Sequence, residues 1–191
     1  MTRSSIDTPT AGGGRRPASL VAACCLAAAL SACSVVDRSA LDRSRPPFEP
    51  GATWTVLPIA NTTETPQAGQ RAAAIAQTLL AAGGVAKLTR YPGGSADETL
   101  FDPAQPDAQK DALTWARAQR IRYALTGSVT EWRYKAGVDG EPAVGLAFDV
   151  IDVDSGNVIW SAAGSRTGWS RDALSGVAQK LERELLAPLA R

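Results

Sequence analysis

Between residues 121 and 169, three apolar runs of strand length are separated by turn-forming residues, and that spacing predicts a three-stranded antiparallel meander. In its middle run Val144, Leu146, Phe148 and Val150 alternate with other residues, so they share one face and Asp149 lies on the other. Upstream, residues 54–59 read as a first strand, closed by Pro58 and the polar run after Asn61. Thr65 then suits a helix N-cap with Pro66 at the first helical position, and Ala72, Ile75, Ala76 and Leu79 recur at helical spacing until Gly83 and Gly84. Residues 85–91 form a short second strand. A long loop over 92–106, with Pro103 and Pro106, leads to a helix over 107–120 with Ala108, Ala112, Trp115, Ala116 and Gln119 on one face. After the meander, Ser170 is placed to cap a last helix striped by Leu174, Val177, Ala178, Leu181 and Leu185. The order β-α-β-α-β-β-β-α predicts an α/β fold, a two- or three-layer sandwich about a mixed sheet.

Charge changes this picture little in total and more in detail. The 191 residues carry 20 Lys and Arg against 19 Asp and Glu, a net +1 that gives no reason to expect nucleic acid. Of these only Arg3, Arg15, Arg16 and Asp7 precede Cys33, so the remainder holds 17 basic and 18 acidic residues. Within the meander no Lys or Arg occurs between Lys135 and Arg166, yet Asp139, Glu141, Asp149, Asp152 and Asp154 do. That local acidic excess is either a binding surface or solvated turn chemistry.

Histidine is absent, which removes the commonest general base, the commonest zinc ligand and every Ser-His or Cys-His arrangement. The three cysteines, Cys24, Cys25 and Cys33, crowd one apolar stretch and make neither a disulfide framework nor a zinc site. Arg15 and Arg16 precede an apolar run of about fifteen residues, short for the ~30 Å core of a bilayer but fitting a signal peptide. It ends in Leu30-Ser31-Ala32-Cys33, which looks like a bacterial lipobox; an ordinary signal cleaved near Ala32 and a buried apolar helix are the plainer alternatives. On the lipobox reading, residues 1–32 are removed, Cys33 carries the lipid (palmitate-type acyl chains), Ser34 at the next position favours the outer membrane, and the Pro-rich residues up to 52 form an extended tether. A single domain then spans 53–191.

Several motifs have bland readings. The Asp152-Val153-Asp154 start of a calcium loop fails in its spacing, because Gly156 comes one position early and Ala163 stands where a Glu is needed, so a β-turn is expected. Paired carboxylates around Asp149 could do glycosidase-like acid and base work, but nothing in the sequence predicts the burial that would raise one pKa. Trp169 fits either a hydrophobic staple onto Leu174 or an exposed aromatic of a membrane interface. Asp139-Gly140-Glu141-Pro142 reads as a hairpin tip.

Four blocks, 61–70 (NTTETPQAGQ), 123–145 (YALTGSVTEWRYKAGVDGEPAVG), 152–161 (DVDSGNVIWS) and 168–180 (GWSRDALSGVAQK), resemble the PelC family of Pel exopolysaccharide export lipoproteins. More distantly, the ALTG and SGNVIW patterns are similar to the lipoprotein activators of penicillin-binding proteins and the curli secretion lipoprotein, which share the α/β fold. The family resemblance implies a non-enzymatic, cofactor-free lipoprotein at the periplasmic face of the outer membrane. It implies a dodecameric ring beneath the Pel porin, offering an electronegative funnel to a cationic polysaccharide. It further implies pore-lining roles for Asp139 and Glu141, a membrane-facing Trp169 and the lipid on Cys33. A lipoprotein activator docking on a penicillin-binding protein is the alternative.

Overall fold

A computed structural model, which describes residues 34–37, 48–93, 106–137 and 140–189, shows one mixed sheet of six strands among the described residues. In chain order the elements are β1 (Ser34–Asp37), β2 (Thr53–Asn61), α1 (Ala68–Ala82), β3 (Lys87–Arg90), α2 (Pro106–Ala118), β4 (Tyr123–Tyr134), β5 (Pro142–Asp152), β6 (Val158–Thr167) and α3 (Leu174–Leu186), with a short 3-10 turn at Ala187–Leu189. The strands lie in the order β1-β6-β5-β4-β2-β3. β2 runs parallel to both β3 and β4, and β4, β5, β6 and β1 pair antiparallel in succession. The expected mixed sheet and meander are therefore both present. By contact the chain divides into residues 1–31 and 32–191, and the described residues belong to the second unit.

The layers follow from alternation. One sheet face buries Trp54, Tyr123, Leu125, Val144, Leu146, Phe148, Val150 and Trp160 against Ala72, Ala76 and Leu80 of α1 and Val177, Ala178, Leu181 and Leu185 of α3. The other face packs Leu57, Ala124 and Val153 against Ala112 and Ala116 of α2. Three layers thus exist over β2 and β4 and two over the outer meander. α1 can lie so close because Gly69 has no side chain: a Cβ there would sit 2.0 Å from the Ile59 carbonyl oxygen.

Three local expectations change. α1 begins at Ala68, after Gln67 in a left-handed conformation (φ 60°), and no side chain caps it. Thr65 instead donates its hydroxyl to the Trp132 carbonyl, and Thr62 donates to that of Val129, so the NTTET run is tied to β4 rather than to a helix end. α3 begins at Leu174, not after Ser170, because Asp172 accepts the Trp169 N–H (3.0 Å) and holds a turn there. The tether is also shorter than expected. Ser34–Asp37 is a strand on the open edge of β6, in keeping with the β-branched pair at its centre, and Phe48 packs on Trp54 and Tyr123. Only residues 38–47 separate these two attachments, and they lie outside the described residues, as do residues 1–33 and 94–105.

The buried stripe of α3 includes a residue that the apolar periodicity does not announce. Glu182 is 0% exposed, and neither carboxylate oxygen has a hydrogen-bond partner. Burial pushes its pKa from 4.5 to about 9, so the folded protein holds the carboxyl neutral. Between those two values the unfolded chain gives up a proton that the folded chain keeps, so stability falls as pH rises across this window. The limiting slope for one such group is ~1.4 kcal/mol per pH unit. Glu182→Gln should flatten that dependence and melt higher than the parent at pH 8, the difference shrinking toward pH 5 in thermal unfolding; equal midpoints at pH 8 would contradict it.

Candidate functional site

The meander ends in two places that carry polar chemistry. At one end β4 passes into β5 through a hairpin that the Lys135 N–H closes onto the Glu141 carbonyl at 2.8 Å. Gly140 adopts φ 52° there, a left-handed conformation that suits glycine. Glu141 is half-buried beside it, and Asp139 lies outside the described residues. β6 finishes against the same hairpin: the Gly168 N–H donates to the Pro142 carbonyl (2.8 Å) and Lys135 Nζ to Thr167 Oγ1 (3.0 Å).

Trp169 follows at once and is 63% exposed, and Tyr134 is 53% exposed. The Tyr134 hydroxyl accepts the first amide of α3, Leu174 N–H, at 3.2 Å. The staple reading of Trp169 is therefore wrong: its ring is left in solvent, and Leu174 is anchored from β4. The register of β1 adds a third feature to this end. Ser34 pairs with Arg166, three positions before Trp169, so the residue that follows Cys33 lies at the hairpin end of the sheet. Cys33 itself is outside the described residues. Glu141, Trp169 and the start of β1 thus converge on one end, which makes the hairpin and the aromatic neighbours.

The opposite end, where β2 and β4 begin, is a clamp that the sequence does not reveal. The Phe48 ring meets Trp54 and Tyr123 edge-on, with centroids 4.8 and 5.1 Å away. Arg122 lies over the Tyr123 ring (5.0 Å) and bridges Glu49 (3.1 Å) and Asp152 (2.6 Å), with Asp154 at 3.5 Å. The Ser155 N–H, and after it Arg122, holds the Asp152 carboxyl below its usual range. Asp152 and Asp154 are thereby accounted for as turn and clamp chemistry. No group of three or more potential metal ligands exists among the described residues.

Asp149 accepts a hydrogen bond from the Ser161 hydroxyl, and its strand partners are Thr126 and Ser161. Neither partner is a carboxylate, so the acid and base pair considered for Asp149 is not assembled across the strands. The hairpin end brings charge and exposed aromatic surface together among the described residues. The missed residues, Phe48, Glu49 and Arg122, have no local sequence signal for the clamp, because the contacts that close it, Phe48 with Tyr123 and Glu49 with Arg122, span about seventy positions.

No protein-family model and no curated protein matches the chain. Among solved structures, the PelC dodecamer from Paraburkholderia phytofirmans is 46% identical, with 83% of this chain and 99% of that one aligned and a TM-score of 0.68. A leucine-to-methionine variant of that dodecamer, in a second crystal form, gives 45% identity, coverage of 83% and 100%, and the same TM-score. The LpoB C-terminal domain from Salmonella enterica is 20% identical, with 62% of this chain and 84% of that one aligned and a TM-score of 0.41, a likeness too slight to bear on function.

Phe48→Ala should lower the unfolding free energy by about 2 kcal/mol, measured by urea titration. Arg122→Gln should cost roughly 1 kcal/mol at pH 7 and progressively less as acid protonates Asp152; a cost independent of pH would refute the ion-pair origin.

Proposed function

The chain belongs to the PelC family, and from that membership we propose that it is a lipid-anchored outer-membrane protein that assembles into a ring and guides a cationic Pel-type exopolysaccharide to its porin. The observation that carries the proposal is the identity of 46% along essentially the whole of a protein that forms a dodecamer. The hairpin end supports it. No helix among the described residues is long and apolar enough to cross a membrane. In this reading the lipid on Cys33 attaches the protein, on the strength of the Leu30-Ser31-Ala32-Cys33 motif. Each buried CH₂ of the acyl chains contributes ~0.8 kcal/mol, and several chains hold the protein stably. Trp169, exposed at the sheet end where β1 starts, sits where headgroups favour an amphipathic ring.

With Glu141 at the same end of the sheet as that aromatic, its carboxylate would be held at the membrane side of the ring, and Asp139, two residues before it in the sequence, joins it in this reading as the last charges the polymer meets before the porin. Exposed ion pairs contribute only about 0.2 to 1 kcal/mol each. A ring repeats each carboxylate and confines the polymer among all the copies, which attracts without trapping. The reaction class is therefore none: transport needs weak, repeated charge contacts and no bond chemistry.

Two measurements test this reading. Light scattering on residues 34–191 should give a mass many times that of one chain, and a monomer at every concentration removes the ring. Binding to a glucosamine-rich cationic polymer should weaken steeply with salt and fall at least tenfold in Asp139→Asn/Glu141→Gln, whereas unchanged binding sinks the funnel role.

A further inference from the structure

Among the described residues four large hydrophobic side chains are exposed, and two of them, Tyr134 and Trp169, stand at the hairpin end. Both are held from behind. The Tyr134 hydroxyl accepts the Leu174 N–H at 3.2 Å, which fixes its ring against the start of α3. The Trp169 N–H donates to Asp172 Oδ2 (3.0 Å), and the Trp169 carbonyl accepts the Asp172 N–H (2.8 Å), closing a turn with Ser170 and Arg171 at its apex. Residues 169–171 are all exposed.

Arg171 is the charge that this turn puts forward. The carboxylates nearest to it in sequence are committed elsewhere: Asp172 holds the Trp169 amide, Glu182 is buried in the core face of α3, and Glu184 pairs with Arg166 at 3.0 Å. Arg171 itself forms no ion pair among the described residues. The hairpin cation does not join it. Tyr134 pairs with Pro142, and the next pair toward the tip, Lys135 with Glu141, alternates to the other face, where Lys135 Nζ meets Thr167 Oγ1 at 3.0 Å. The α3 side of this end therefore presents two rings and one unpaired guanidinium.

The anchor brings this end to the bilayer. Ser34, the residue after Cys33, already pairs with Arg166, five positions before Arg171, so on the lipobox reading no slack separates the acyl chains from the sheet end. We propose that the Trp169-Ser170-Arg171 turn, with Tyr134 beside it, is a headgroup-binding surface in which the Arg171 guanidinium takes a phospholipid phosphate. The planar guanidinium matches two phosphate oxygens at once, and indole and phenol rings settle at headgroup depth, so one turn meets both parts of the interface at one level. An acyl anchor at a single residue fixes position but not orientation, and a second contact beside it supplies the orientation. This rests on the membrane-anchored reading above and adds the lipid group that the turn recognises.

Residues 32–191 form one compact unit, so residues 34–191 without the lipid isolate this contact. They should float with vesicles of phosphatidylethanolamine and phosphatidylglycerol, and less so as salt rises. Arg171→Gln should lower the vesicle affinity about fivefold per copy, the effect of one cation at an anionic surface, and Arg171→Lys should restore most of it. Trp169→Ala should lower it as well, and each variant should keep the parent's melting midpoint because these side chains are exposed. A parent that does not float, or an Arg171→Gln variant that floats like the parent, overturns the proposal and leaves the Cys33 anchor and the ring standing. Inorganic phosphate that displaces the protein better than chloride at equal ionic strength would assign Arg171 to a free anion and also overturns it. A whole chain that washes off membranes in high salt, with residues 34–191 still floating at low salt, would remove the anchor and support the turn.

Discussion

A slip of one residue between β4 and β5 would turn Val144, Leu146, Phe148 and Val150 out of the core and bring Asp149 into it. The fold depends on that register being held. On one face the four side chains are fully committed beneath α3, and on the other Asp149 is satisfied by Ser161. Once β5 is fixed, so are both of its ends. The Pro142 carbonyl receives the chain leaving β6, and Asp152 receives Arg122 and the turn amide of Ser155. The exposed aromatic and the acidic hairpin stand side by side because one strand's register sets both.

The elements that could be read from the sequence are those whose signal is local. The meander, β2, α1, β3 and α2 follow from alternation, helical spacing and glycine or proline punctuation, and their order emerged intact. The errors are at helix starts. Thr65 and Ser170 are good capping residues by type, but Thr65 finds a better acceptor at Trp132 of β4, and Asp172 takes the amide of Trp169 and displaces the start of α3. Tertiary partners override the local rule in both cases.

What escaped the sequence is long-range. Phe48 and Glu49 read as part of a slack tether because nothing nearby says that Tyr123 and Arg122 will receive them. Glu182 escaped for the opposite reason: its neighbours Leu181 and Leu185 announce a buried stripe, and a carboxyl four residues after Ala178 lies on its flank. In the candidate site, Trp169 and Glu141 were legible as residues, but their adjacency was not. It depends on where β6 ends relative to the hairpin.

The direction of β1 has a mechanical consequence. Ser34 lies at the hairpin end and the strand runs away from it, antiparallel to β6. Tension applied through the residue before Ser34 therefore acts along the strand axis, perpendicular to the hydrogen bonds that join β1 to β6. Such a load is shared by all the bonds of the pair at once instead of opening them in turn. A pair loaded in this way resists separation in shear, so the four residues of β1 act together and not one after another.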